Sequence, residues 1–62
     1  MNKANEIKKC YDMGNITKRQ HDTMVRHAKH HSFAHIQKML DDMKKGMSFT
    51  AAHKSAKESV GN

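Results

Sequence analysis

Three glycines, Gly14, Gly46 and Gly61, divide a chain that contains no proline. Glycine readily takes the left-handed backbone conformation that commonly follows the last turn of a helix, so each of these positions predicts a helix end. No segment shows the alternating, β-branched pattern that is typical of strands. The sequence therefore predicts an all-α fold, a small helical bundle of three main helices plus a short N-terminal helix.

The apolar periodicity and the capping residues place four helices, at residues 4–13, 18–30, 33–45 and 49–59. Thr17 with Gln20 three positions later matches a capping box, and Ser32 and Ser48 are suitable caps for the third and fourth helices. One uninterrupted helix over residues 17–45 is the alternative, because a serine inside a helix costs little. The pattern favours two helices there.

A chain of 62 residues allows one domain, 1–62, in which 1–16 form the N-terminal helix and turn and 17–60 the main helical unit. The core of so small a domain is thin, and such proteins usually need a disulfide, a metal, a ligand or a partner chain. Cys10 is the only cysteine, so no internal disulfide can form. We therefore expect partner binding or a homodimer more readily than in a larger domain.

The third helix carries an apolar face with spacings of three and four. In so small a protein this face is most often core, and with Phe49, Ala52 and Ala56 it would close a corner around Gly46. The alternative is an adaptable, methionine-rich surface for a partner protein or a second copy. Its residues would be Phe33, Ile36, Met39, Leu40, Met43 and Met47.

Twelve lysine and arginine residues against six acidic ones give the chain a net charge of +6. Such a field attracts polyanions, and nucleic acid is the first expectation. Few aromatic side chains are available to stack on bases, so DNA or RNA would be held by its backbone with weak sequence specificity. The candidate contacts are Lys18, Arg19, Arg26, Lys29, His30, Lys38, Lys45, Lys54 and Lys57.

Five of the six histidines lie between His21 and His35. His27 with His31, or His31 with His35, would share one helix face and suit Zn²⁺ if residues 27–35 were helical. Structural zinc sites usually have four ligands, often thiolates, so these three are weak metal candidates, and we expect no cofactor. The other interpretation is a pH switch, in which protonation below about pH 6.5 strengthens nucleic-acid binding.

No constellation for catalysis is evident. Cys10 lacks the features of an activated nucleophile, Asp41 and Asp42 diverge on a helix, and no glycine-rich phosphate loop occurs. The first ten residues lack the apolar core of a secretory signal, and no apolar run is long enough to span a membrane. We expect a non-enzymatic intracellular protein that does not contact membranes.

The segments TKRQ (17–20), KHHS (29–32) and GMSFTAAHKSA (46–56), with the closing Val60 and Gly61, form a pattern of lysine, histidine and small residues. In this pattern the chain resembles short basic proteins of large DNA viruses of aquatic microbes, including cyanophages and algal viruses. The resemblance covers about three quarters of the chain. It implies a viral origin and a role in the virion or in the cytoplasm or nucleus of an infected host cell, and it transfers no catalytic residue.

Overall fold

The computed structural model describes residues 2–61. It contains four helices, α1 (Lys3–Asp12), α2 (Lys18–Ala28), α3 (Phe33–Lys44) and α4 (Phe49–Ser59), and no strand within those residues. The all-α bundle is thus confirmed, and so is the division of residues 17–45 into two helices. Over the same residues, no helix is both long and apolar enough to cross a membrane.

The helix starts lie where the capping side chains place them. The hydroxyl of Thr17 accepts a hydrogen bond from the backbone N–H of Gln20 at 3.1 Å, and the Gln20 side chain accepts one from the Thr17 N–H at 2.8 Å. The hydroxyls of Ser32 and Ser48 each accept from the backbone N–H three residues on, at 3.2 Å. These bonds satisfy N–H groups that have no partner inside the helix, so the boundaries are local properties of the sequence.

Helix α3 supplies the largest part of the core and is packed by the other three helices. From α4 it receives two alanines, Ala52 and Ala56, both fully buried. Side chains of this size let two helix axes approach closely. The other buried apolar residues are Ile7 and Cys10 of α1, Ile16 of the following turn, Met24 and Ala28 of α2, and Ile36, Met39, Leu40 and Met43 of α3.

This core corrects the prediction of a methionine-rich interaction surface or dimer seam on the third helix. Ile36, Met39, Leu40 and Met43 are between 0% and 4% exposed, because the chain's own helices cover them. Of the six residues proposed for that surface, only Phe33 and Met47 are half-buried. Phe49, expected to close the corner at Gly46, is half-buried and packs against the core.

Lys3 connects the N-terminal helix to the connection between α2 and α3. Its ammonium donates hydrogen bonds to the backbone carbonyl of Ala28 and, at 2.7 Å, to that of His31. Both carbonyls lie at or beyond the end of α2, where the last turn of a helix leaves acceptors without intrahelical partners. This contact holds the non-helical residues 29–32 against α1.

We predict that Ile36→Val lowers the free energy of unfolding by about 0.5–1.5 kcal/mol, because it removes a buried methyl group and leaves a small cavity. In a domain of this size that corresponds to a melting temperature lower by roughly 4–8 °C per kcal/mol. Thermal unfolding followed by circular dichroism measures it. Met13→Ala is the control, since Met13 is 65% exposed and its loss should leave the melting temperature unchanged.

Candidate functional site

The outer side of α2 carries the first candidate site, a set of cations around one shallow surface cleft. Arg19 and Arg26 line this cleft together with Lys18, Asp22 and Thr23. The two arginines are exposed and seven residues apart, which is two helical turns or about 10 Å along the axis. Neither guanidinium contacts a carboxylate within the part of the chain that the structure describes. We call Lys18, Arg19 and Arg26 the α2 basic face.

Two of the residues predicted to contact nucleic acid form ion pairs with carboxylates. Lys38 lies 3.1 Å from Asp42, whose side chain is 6% exposed and whose second oxygen has no hydrogen-bond partner. A buried carboxylate needs a paired charge, so Lys38 has a structural role, and its contact with nucleic acid stays a prediction. Lys18 pairs with Asp22 at 3.2 Å, but both side chains are at least half exposed, so that pair contributes little.

The remaining predicted contacts are exposed but come from separate parts of the fold. They are Lys29 and His30 after the end of α2, Lys45 at the end of α3, and Lys54 and Lys57 on α4. No carboxylate lies within ion-pair distance of them in residues 2–61. The cleft on α2 thus brings together three of the nine predicted residues.

The second candidate site is a cluster of four histidine rings, which we call the histidine cluster: His27, His31, His35 and His53. They come from α2, from the connection after it, from the first turn of α3 and from α4. The ring centroid of His53 is 5.7 Å from that of His27 and 5.5 Å from those of His31 and His35. His27 and His31 are 5.8 Å apart, and His31 stacks on His35 at 4.1 Å.

The sequence predicted part of this cluster, but on the assumption that residues 27–35 are helical, and that assumption is wrong. Residues 27–35 do not form one helix, because α2 ends at Ala28 and α3 begins at Phe33. The turn between them nevertheless keeps His31 beside both neighbours. His53 was not among the metal candidates. The sequence signal for His53 was its position next to Ala52, at the edge of the buried apolar face of α4. A side chain at that edge points toward a neighbouring helix.

His35 is the most buried member of the histidine cluster, at 1% exposure. Its Nδ1 lies 2.9 Å from the carbonyl oxygen of Gly61 and donates a proton to it, because a carbonyl can only accept. In the neutral ring, Nε2 then carries the lone pair, and this buried atom has no hydrogen-bond partner. Such a group is costly to bury unless something binds it.

A surface pocket of ≈ 400 Å³ opens beside these rings. His31, His35 and His53 line it together with Lys57 and Gly61. On the far side of the cluster, the ring of Phe49 lies 5.0 Å from that of His27. The cluster therefore combines an apolar wall with an open side through which a small solute can enter. One ring nitrogen from each of His27, His31 and His53 lies within 4.8 Å of the other two.

The surroundings of His27 lower the pKa of its imidazole. Burial among apolar side chains is the largest cause, since it disfavours the charged ring. The positive charge of Arg26 and the neighbouring rings of His30, His31 and His35 act in the same direction.

The pKa of His53 is lowered as well. Burial is again the largest cause, followed by the rings of His35 and His27 and by the ammonium of Lys57. At neutral pH both imidazoles are therefore uncharged.

Cys10 belongs to neither site. It is 8% exposed in the core, and desolvation raises the pKa of its thiol. The thiolate is the reactive form of cysteine, so this side chain is held in its unreactive form at neutral pH.

No family model, curated protein or solved structure matches this chain. The α2 basic face and the histidine cluster are therefore the two features from which a function can be argued. The basic face is exposed, charged and shallow, as a surface for a polyanion is. The cluster is partly buried and concave, as a site for a small ligand is.

We predict that Lys38→Met lowers the free energy of unfolding by about 1–3 kcal/mol, because the buried Asp42 loses its charged partner. Chemical denaturation measures the loss. Lys54→Met is the matched control, and removal of this exposed, unpaired charge should change stability by less than about 0.5 kcal/mol. Equal effects of the two variants would contradict the structural role of Lys38.

We also predict that the metal-free protein loses stability as the pH falls. Because folding lowers the pKa of His27 and His53 below the ordinary value near 6.5, the unfolded chain binds more protons. Their contribution is present above pH of about 6.5 and is lost as the pH falls through the folded-state values. Denaturant midpoints between pH 7.5 and 5, measured with chelator, should decline.

The double variant His27→Gln/His53→Gln should show a shallower decline over the same pH range. If the wild type and the double variant have parallel profiles, these two rings do not control the pH dependence of folding.

Proposed function

We propose that this protein is a non-enzymatic nucleic-acid-binding module that holds the phosphate backbone with the α2 basic face. The observation that carries the proposal is the pair Arg19 and Arg26, which are exposed, have no carboxylate partner among residues 2–61 and line one cleft. A guanidinium presents a planar fork of donors that matches two phosphate oxygens. Two such groups, two turns apart on a protein of net charge +6, suit a repeating anion.

Among the described residues Asp22 is the one acid that lines this cleft, and its charge is compensated there. A hydrogen bond from His21 at 3.0 Å and one from Lys18 at 3.2 Å lower the pKa of its carboxyl. Because the carboxylate is occupied by these donors, it does not compete for Arg19 or Arg26. The cleft therefore presents its arginines outward with their charge intact.

The proposed binding depends on charge and has little means of reading base sequence. Tyr11 is 38% exposed, but its ring faces that of His21 at 5.1 Å. Phe33 and Phe49 are half-buried. Without aromatic platforms, contacts fall on phosphates, which set position and affinity but carry no sequence information. We include in this proposal the viral role that the resemblance implies.

The alternative function is a module that docks on a protein partner through a methionine-rich surface. Most of that surface is buried in the core. Ile36, Met39, Leu40 and Met43 would have to leave the core to reach a partner. Salt dependence separates the two functions, since phosphate contacts weaken steeply with ionic strength and an apolar contact does not.

We predict that Arg19→Ala/Arg26→Ala weakens binding to labelled duplex DNA and flattens its salt dependence. Each lost phosphate contact reduces the slope of log K against log salt by about 0.9, so two contacts reduce it by roughly 1.8. Fluorescence anisotropy across a salt series measures both quantities, and single-stranded DNA and RNA in parallel assign the preferred form.

The control is Lys8→Ala/Lys9→Ala, which removes the same net charge from exposed positions on α1. Lys8 forms only an exposed pair with Asp12, so the fold should tolerate this variant. Equal losses in the two double variants would mean that net charge alone matters and no face is involved. No binding by the wild type at low salt would end the proposal.

A further inference from the structure

We infer that the histidine cluster is a binding site for a divalent transition-metal ion of the Zn²⁺ type. His27, His31 and His53, whose ring nitrogens lie within 4.8 Å of one another, would supply three ligands. His35 lies outside that group but stacks on His31, and it would supply the fourth after a rearrangement of the rings. This goes beyond the proposed function, because it uses none of the three side chains of the α2 basic face.

The separations of four ring pairs are close to those around a tetrahedral ion. With Zn–N bonds of about 2.0–2.1 Å, four imidazoles around one zinc ion have centroids about 5.2 Å apart and nitrogens about 3.4 Å apart. The observed centroid separations are 5.5–5.8 Å for four ring pairs and 4.1 Å for His31 and His35. The nitrogens within 4.8 Å need to close by roughly an ångström. Because the rings of His31 and His35 are stacked at 4.1 Å, one of them would have to rotate before both could bind a single ion.

His35 already has the arrangement of a metal-ligating histidine. Such a histidine generally donates its other ring N–H to a carbonyl or carboxylate, which fixes the tautomer and the ring orientation. Here Nδ1 donates to the carbonyl of Gly61, and Nε2 is left as a buried acceptor without a partner. A metal ion would satisfy this atom, and nothing else in residues 2–61 does.

The donor chemistry selects the class of metal. Neutral imidazole suits zinc, copper, nickel and iron, whereas magnesium and calcium take oxygen ligands. Burial keeps His27 and His53 uncharged at neutral pH, so no proton has to be displaced from them. The ammonium of Lys57 lines the same pocket and opposes a second cation. We therefore expect Lys57→Gln to tighten metal binding.

The four ligands come from different parts of the chain. An ion bound to them would join α2, the turn after it, α3 and α4 at one point. Because the unfolded chain has no such site, metal-binding free energy would add to folding free energy. A domain of this size commonly needs such a stabiliser.

The test uses the full chain, first treated with chelator and then titrated with Zn²⁺, and with Mg²⁺ as the comparison ion. We expect Zn²⁺ to raise the melting temperature, chelator to reverse the rise, and Mg²⁺ to have no effect. Competition with a chromophoric chelator gives the affinity. His53→Gln should weaken it by more than the roughly 10–100-fold typical of losing an outer-shell partner. His35→Gln should weaken it at least about 10-fold.

His30→Gln is the matched control, since His30 is exposed, adjacent to the cluster and outside it. It should leave the affinity unchanged, and an equal loss in His30→Gln and His53→Gln would overturn the assignment. A wild-type protein that binds Zn²⁺ no better than Mg²⁺ would also overturn it. NMR of the ring nitrogens uses the wild-type protein, so it does not depend on whether a variant folds. Zn²⁺ should shift the resonances of the four cluster histidines and spare those of His21 and His30.

Discussion

The packing of α4 on α3 is the contact on which the rest of the structure depends. Ala52 and Ala56 are fully buried against the central helix, and their small side chains let α4 approach it closely. Larger residues would hold the helices further apart. Because His53 follows Ala52 directly, this approach also places its ring among those of α2, α3 and the turn between them. The core contact and the histidine cluster are thus set by the same two alanines.

The fold separates its basic groups by environment. Arg19 and Arg26 remain in water, where a guanidinium keeps its charge and its hydration until a phosphate replaces the water. His27 and His53 are withdrawn from water, and the pKa of each is lowered. Lys38 is an intermediate case, because its partly exposed side chain forms an ion pair with the buried Asp42. One cationic composition therefore yields an exposed charged face, a partly buried histidine cluster and an ion pair with a buried carboxylate.

Much of the helical framework follows from local signals. The capping box at Thr17, the caps at Ser32 and Ser48, and the left-handed glycines Gly14 and Gly46 are all found where the sequence predicts them. Each depends on hydrogen bonds or backbone angles within a few residues. What each polar side chain contacts in the folded protein is harder to predict from the sequence. Lys38 looked like any other exposed lysine in the sequence, because the burial of its partner is a property of the packed core.

The sequence by itself determined the four helices, the starts of α2, α3 and α4, the net positive charge and which face of each helix is apolar. Those properties depend on residues less than about two turns apart, within which propensity, capping and periodicity act. Only the tertiary structure decided that the apolar face of α3 is covered by the same chain. It also decided that His53 joins His27, His31 and His35. Contacts between residues 18 or more positions apart depend on how the helices pack, and local periodicity does not specify that.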